Sequence, residues 1–380
     1  MKILHVYKDY SPVLGGIENH LRALAEAQAA AGHAVSVLVT ALPGAPTTVE
    51  THGGVRVLKA ARLATVGGSV PISLALPRLL ARERPDVAHL HFPYPLGELS
   101  QLAFGHARAT VLTYHSDVVR QRLMLRLYRP LLWQILRRAD RLIATSPHYV
   151  QTSPFLSRLA ARCRVIPLGV DVARFARADP AAVAALRAEW SPAGEPVLLF
   201  VGRLRYYKGL DVLLDALARL PEGRATAVLV GAGPERAALE AQARALGLGA
   251  RVRFAGDLAD ERLPAAYHAA DLFVLPASAR AEAFGMVLVE AMAAGLACIT
   301  TAVGSGTDWV VQHGVTGLVV APRDPEALAA ALAELLADPG ARRAFGAAGQ
   351  ARAAAEFSHE RMVAAVLALY AEVLADREGG

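Results

Sequence analysis

Along the chain, short β-branched or apolar runs alternate with longer stretches of helical periodicity, the pattern of parallel sheets covered by helices. In the first half this predicts strands near 2–7 (KILHVY), 34–40 (AVSVLVT), 55–59, 86–91 (DVAHLH), 110–114 (TVLTY), 140–145 and 163–167 (CRVIP). A stretch rich in Ala, Asp, Pro and Gly follows at 168–195, and the rhythm restarts at 196–202 with PVLLFVG. Further strands are predicted near 226–231, 251–255, 271–275, 297–301 and 317–321. The class is therefore α/β, with one domain over 1–190 and a second over 191–356. The last 25 residues read as a single helix. Ala-rich tracts at 181–189 and 327–337 read as helices of high intrinsic propensity.

Composition narrows the class. With 380 residues, 54% hydrophobic and 19% charged, the chain can bury a core in each of two domains. It has no apolar run long enough to cross a bilayer, and MKILHVY lacks the plan of a signal peptide, so a cytoplasmic protein is expected. Cys163 and Cys298 sit singly in apolar segments, which fits core thiols and argues against a disulfide framework or a zinc site.

Charge is uneven. Residues 1–186 hold 22 Lys and Arg against 11 Asp and Glu, whereas the remainder holds 18 against 23. A basic half suits an anionic surface or an acidic substrate; without an aromatic-basic motif for it, nucleic acid is not expected as a partner. The segment 120–138, RQRLMLRLYRPLLWQILRR, mixes six arginines with Leu, Tyr128 and Trp133. It fits an anionic membrane surface, as a peripheral attachment to the inner face, and equally a domain helix with its arginines in water.

Ligands of open α/β sheets bind beyond the carboxyl ends of the strands, and three loops there carry unusual chemistry. In Leu14-Gly15-Gly16-Ile17-Glu18 two glycines open a helix, which lets backbone amides approach an anion or merely makes a turn. In 201–209, VGRLRYYKG, Arg203 and Lys208 follow a strand five residues apart, which suits a diphosphate or a solvated basic loop. The third, AEAFGMVLVEAMAAG at 281–295, places Glu282 before a helix and Glu290 within it, among apolar neighbours. A buried carboxylate must be paired or hydrogen-bonded. Sugar hydroxyls could serve; so could a core arginine for Glu290, with Glu282 capping the helix. No Asp-x-Asp occurs, so a metal bridging phosphates is not expected, nor is any cofactor.

Taken together, GGIE at 15–18, VGRL-x(3)-KG at 201–209 and E-x-F-G-x(4)-E-A-M-A-x-G at 282–295 resemble the family 4 retaining glycosyltransferases. IPLGVD at 166–171 and GVTGLVVAPRDPEALAAAL at 314–332 extend the resemblance in register over nearly the whole chain. It implies a GT-B fold, two Rossmann-like domains across a cleft, with the last helix, about 357–380, returning to the N-terminal domain. It also implies a nucleoside-diphosphate sugar as donor, its diphosphate held by Arg203, Lys208 and the Gly16 amide. By the same token Glu290 would accept from the ribose and Glu282 from the transferred sugar. Phe284, Gly285, Met286 and Val287 would form the helix start at the donor, and Phe254 to Leu258 would lie near the base. His115, in TYHSD at 113–117, resembles the active-site histidine. Ala283 stands where the family commonly has glycine, and the loop after Ser278 differs from the usual S-x-x-E. With GSGTDW at 304–309, these features look like a branch of mannosyltransferases of polysaccharide assembly, acting on a saccharide or lipid-linked acceptor. A sugar-nucleotide 2-epimerase of the same architecture and a non-catalytic nucleotide-sugar sensor are the alternatives.

Overall fold

The structure, a computed structural model, describes all residues except 14, 68–69, 118–121, 222 and 380, and leaves out the side chains of 122–125 and 127. The chain divides into two units: residues 1–169 with 359–380, and residues 170–358.

The first unit is built on eight strands: β1 (Lys2–Val6), β2 (Ala34–Thr40), β3 (Thr48–His52), β4 (Val55–Ala60), β7 (Val87–Phe92), β8 (Ala109–Tyr114), β9 (Arg141–Ala144) and β10 (Cys163–Val165). A separate hairpin joins β5 (Ala64–Val66) to β6 (Val70–Ile72). The sheet order is β10-β9-β8-β7-β1-β2-β4-β3, parallel except where β3 pairs with β4. Strand order reverses beside β1, whose neighbours are β2 and β7. The helix Gly16–Ala30 covers one face through His20, Leu21, Leu24, Ala25 and Gln28, a single stripe at helical spacing. The C-terminal helix His359–Glu378 belongs to the same unit and buries Met362, Val366, Leu369, Tyr370 and Val373. It is tied down by ion pairs from Arg141 to Asp376 (2.9 Å), Arg164 to Glu372 (2.7 Å) and Arg377 to Asp140 (2.8 Å).

The second unit holds β11 (Val197–Val201), β12 (Thr226–Val230), β13 (Val252–Gly256), β14 (Leu272–Leu275), β15 (Cys298–Thr301) and β16 (Gly317–Val320), all parallel, in the order β13-β12-β11-β14-β15-β16. This is the doubly wound arrangement, with its reversal between β11 and β14. VLLFV of β11 and TAVLV of β12 are buried at every position, as strands covered on both faces must be.

The structural division falls after Gly169, not at 190. The stretch read as a break carries two helices, Val172–Phe175 and Pro180–Trp190, capped by the side chains of Asp171 and Asp179. Phe175, Leu186 and Trp190 are buried, and the Phe175 ring packs edge-on against Tyr267 at 5.5 Å. These apolar residues, spaced among alanines, commit the segment to the second unit.

Candidate active site

In the second unit the chemistry gathers where strand order reverses. After β11 the chain passes Arg203 and enters a short turn, Tyr206–Lys208, that delivers Lys208 inward; Gly209 then starts the helix Leu210–Arg219. Gly209 adopts φ 68°, and a Cβ there would lie 1.9 Å from the Pro276 carbonyl oxygen. Glycine is thus required for this turn to pass beside the loop after β14. That loop is held in return: Ser278 N–H donates to Tyr207 O (2.8 Å), and Arg280 donates to Gly304 O. Ser305 Oγ donates to Glu282 O (2.5 Å) and Gly306 N–H to Ala283 O (2.8 Å). The GSGTDW segment therefore buttresses the Glu282 loop.

The result is an ion pair across the reversal. Lys208 Nζ lies 2.5 Å from Glu282 Oε2, both residues being buried. Burial alone would lower the Lys208 ammonium, but the Glu282 charge beside it, helped by Tyr207 and Glu290, holds it above its ordinary range. Neither reading offered for Glu282 includes this partner: Glu282 does not cap the helix, for no side chain caps Met286–Ala293. The helix instead starts from Gly285 at φ 81°; Leu288 N–H already donates to Gly285 O (2.8 Å), while the amides of Gly285, Met286 and Val287 before it have no intrahelical acceptor.

Glu290, two turns' length into that loop and helix, is half-buried and pairs with no arginine among the described residues. Its Oε2 accepts from Tyr267 Oη at 2.6 Å. Burial raises the Glu290 carboxyl above its usual range, and the Tyr267 hydrogen bond and the Arg174 charge only partly oppose this. Tyr267 comes from the helix Leu263–His268, remote in sequence, and no local pattern marks it as the partner.

Arg203 is exposed and has no hydrogen-bond or ion-pair partner among the described residues. Phe284 departs from its expected role: its ring is buried against Phe357 and Trp309 at 6.0 and 6.5 Å, so its side chain is core. Met286 and Val287 are half-buried at the helix start. Phe254 and Leu258 stand at the end of β13, two strands from β11. There the Arg236 guanidinium sits 5.9 Å from the Phe254 ring centroid.

In the first unit, Gly16 opens its helix with nothing within 4 Å of where a Cβ would be, so packing does not demand glycine there. His115 follows β8 and is buried. Its loop is set by Asp117, whose Oδ1 accepts from Tyr114 Oη (2.8 Å) and Ser153 Oγ (2.9 Å) and whose N–H donates to Tyr149 Oη (2.6 Å). Burial lowers the His115 imidazole to about 3, so the ring is neutral.

In the basic segment, positions 120–121 lie outside the described residues. The helix Arg122–Arg138 buries Leu132, Ile135 and Leu136. Trp133 packs on Phe155 (5.3 Å) with Arg137 and Arg158 over its ring, while Arg126, Arg129, Arg137 and Arg138 are exposed. This is a domain helix with a wet arginine face. No helix is long and apolar enough to cross a membrane among the described residues.

Known proteins match both units. The family described as glycosyltransferase family 4 matches residues 14–174, and that of glycosyl transferases group 1 matches residues 184–352. The chain is 38% identical to D-rhamnosyltransferase WbpZ of Pseudomonas aeruginosa, over 93% of this chain and 91% of the relative. It is 34% identical to O-antigen chain mannosyltransferase C of Escherichia coli, over 98% and 99%. Among solved structures, sucrose-phosphate synthase from Thermosynechococcus elongatus superposes with a TM-score of 0.82 at 28% identity, over 99% of each chain. With the motifs in register and both sheets doubly wound, the chain belongs to glycosyltransferase family 4 and is a retaining hexosyltransferase of GT-B fold.

Proposed function

We propose that the transferred sugar has the manno configuration and that it passes from a nucleoside diphosphate to a hydroxyl of a saccharide chain, lipid-linked at its far end. Mannose and D-rhamnose, its 6-deoxy form, are named in the two relatives of highest identity described above. The observation that carries the site assignment is the buried Lys208–Glu282 pair at the strand-order reversal, with exposed Arg203 before it and a helix start behind it.

In this reading Lys208 and Arg203 neutralise the departing diphosphate, the lysine as a point charge and the arginine by a fork of donors. The open amides at Gly285, Met286 and Val287 add fixed dipoles where negative charge develops. A carboxylate offers about four lone-pair directions, so Glu282 can hold Lys208 and still accept from sugar hydroxyls. Glu290, steadied by Tyr267, accepts from the ribose. Gly16 leaves its helix start open to an anion, and His115 meets the transferred sugar. The base lies along Phe254 and Leu258. A diphosphate oxygen takes the acceptor proton on the face where the new bond forms, which gives retention. No metal is assigned a part, and turnover is expected in excess EDTA. The exposed arginines of Arg122–Arg138 draw the enzyme to anionic lipid.

The test is product analysis with GDP-mannose, GDP-D-rhamnose and UDP-glucose, with and without a lipid-linked saccharide. Transfer from the first or second, with an α-linkage from an α-donor, is expected. Transfer from UDP-glucose alone would remove the manno assignment, and epimerisation of donor without acceptor would remove the transfer itself.

A further inference from the structure

The first unit buries five histidines, His5, His20, His89, His91 and His115, of which the proposed function uses one. Their arrangement follows from register. His5 on β1 stands opposite His89 on β7, His91 lies two residues along the same face of β7, and His115 follows the neighbouring β8. Opposite His5, Gln28 comes from the buried stripe of the helix Gly16–Ala30.

These groups form one hydrogen-bonded line. Gln28 Oε1 meets His5 Nε2 at 2.7 Å, His5 Nδ1 meets His91 Nε2 at 3.1 Å, and His91 Nδ1 meets His115 Nε2 at 3.0 Å. The line ends at His115 Nδ1, which is buried and has no hydrogen-bond partner among the described residues. His89 stacks on His91 at 4.4 Å but stands aside, its nitrogens meeting Tyr370 Oη (2.5 Å) and Thr113 Oγ1 (2.6 Å).

Burial lowers His5 to about 4, His115 to about 3 and His91 well below its usual value, so each ring carries one proton. Every N···N contact needs one N–H and one bare nitrogen. An amide oxygen can only accept, so with Gln28 Oε1 facing it His5 bears its proton on Nε2 and accepts at Nδ1. His91 must then donate from Nε2 and accept at Nδ1, and His115 must donate from Nε2. One amide orients three rings.

We propose that Gln28, acting through His5 and His91, is a positioning residue that holds His115 in the Nε2–H form, with Nδ1 left bare to accept a hydrogen bond from a ligand hydroxyl. The recognition step rests on His115 being a ligand residue, as proposed above; the orientation of the line does not. A bare Nδ1 can accept from a sugar hydroxyl and cannot donate to a phosphate oxygen, so the line sorts which part of the donor His115 meets. A metal is the competing use of the same rings. Ring nitrogens of His5, His89 and His91, and of His20, His91 and His115, come within 4.8 Å of one another. Either triplet would need His91 to give up a bond of the line.

The experiment is long-range ¹⁵N–¹H correlation NMR of the full chain, ¹⁵N-labelled on histidine, at pH 7, beside metal analysis of the purified protein. His5, His91 and His115 should all show the Nε2–H pattern. In Gln28→Met and His5→Phe, His115 should lose its single form and kcat should fall about 10-fold, the scale of lost outer-shell support. The double variant should fall no further, because both substitutions cut one line. An Nδ1–H form of His115 in the wild type, an unchanged form in both variants, or stoichiometric metal on the imidazoles overturns the proposal. Should the variants not fold, the wild-type spectrum and metal content decide alone. If the spectrum is as expected but His115→Ala keeps wild-type turnover, the line stands and the reading of His115 as a ligand residue fails.

Discussion

The two sheets reverse strand order in the same way, yet their reversals are furnished with opposite chemistry. Beside β11 and β14 stand fixed charges, Lys208 against Glu282 with Glu290 nearby. Beside β1 and β7 stand neutral imidazoles that touch one another and Gln28. Burial is similar in both places and its outcome differs because of the partner. A cation with a carboxylate 2.5 Å away keeps its charge, whereas rings surrounded by other rings give theirs up. Fixed charge suits a diphosphate; neutral groups with orientable protons suit hydroxyls.

Removing the charge on one side breaks this comparison most severely. Lys208→Ala takes the cation from the proposed diphosphate site and leaves Glu282 buried without its counter-charge. Turnover should fall by at least about 10³-fold, the scale of losing a main transition-state donor. Breaking one half of a buried pair also costs about 3–5 kcal/mol. Lys208→Met with Glu282→Gln should recover most of that stability, measured by urea unfolding, and none of the turnover. If the double variant regains activity, the pair is structural and the diphosphate assignment falls.

Acid should separate the two units next. His5, His20, His89, His91 and His115 have folded values lowered from 6.5, in each case chiefly by burial. The unfolded chain therefore binds more protons below pH 6.5. The stability these groups contribute is complete above that pH and is lost as pH falls towards 4 for His5 and 3 for His115. For His5 alone the loss is roughly 3 kcal/mol at pH 4. Glu98 works in the opposite sense. Raised to about 7 by burial against the Tyr128 and Tyr94 hydrogen bonds, it favours folding below its unfolded value of 4.5 and loses that contribution as pH rises through 7. One carboxyl offsets about one of five histidines. In the second unit Glu290 is also raised, so acid does not oppose it. Hydrogen exchange at pH 4.5 should show β1, β7 and β8 opening before β11, β14 and β15; simultaneous opening would mean the histidine line carries no such linkage.

A smaller effect tests the Glu290 support. Tyr267→Phe removes one buried hydroxyl from a carboxylate that burial already disfavours, at about 1–3 kcal/mol. The Glu290 carboxyl should rise further, and donor affinity should weaken more at pH 6 than at pH 8, read by calorimetric titration with nucleoside diphosphate. Equal weakening at both would detach Tyr267 from the Glu290 charge.

How these features could be read in the sequence follows from how local their causes are. Every strand of the second unit was legible, because VLLFV and LFVL are continuous apolar runs between turn signals. In the first unit β3 was not: TVETH is exposed at all five positions and forms only by pairing antiparallel with β4. The three-residue strands β5 and β6 are too short to show a period. Within the run 168–195 the helix at 181–189 was legible from its alanines and is Pro180–Trp190. The four-residue helix Val172–Phe175 was too short to show a period, and so the attachment of the run to the second unit through Phe175, Leu186 and Trp190 was not legible. At the site, the residue types were readable from the motifs, but their partners were not. Lys208 and Glu282 are joined by turns on two different strands, and Tyr267 reaches Glu290 from another helix. Phe284 looked like a ligand residue because its motif neighbours do, while its ring serves the core. The histidine line was invisible, since His5, His89 and His91 meet only through parallel register.

The smallest expected effect sharpens the contrast at the outer surface, where the first half of the chain is basic and the second acidic. Leu132, Ile135 and Leu136 of the helix Arg122–Arg138 are already spent on the core, and Trp133 lies under two arginines. Attraction to a bilayer through this helix is therefore expected to come chiefly from its exposed arginines. Each exposed arginine near an anionic surface contributes about 1 kcal/mol, screened over a Debye length of about 8 Å at physiological salt. Flotation should therefore recover the wild type with vesicles containing anionic lipid and leave it behind with neutral ones. Arg137→Gln with Arg138→Gln should weaken recovery by about 10- to 30-fold in affinity, at most the two charges' worth. Turnover on a water-soluble acceptor should stay unchanged. Equal recovery with neutral vesicles would point instead to insertion of apolar side chains and would remove the electrostatic reading.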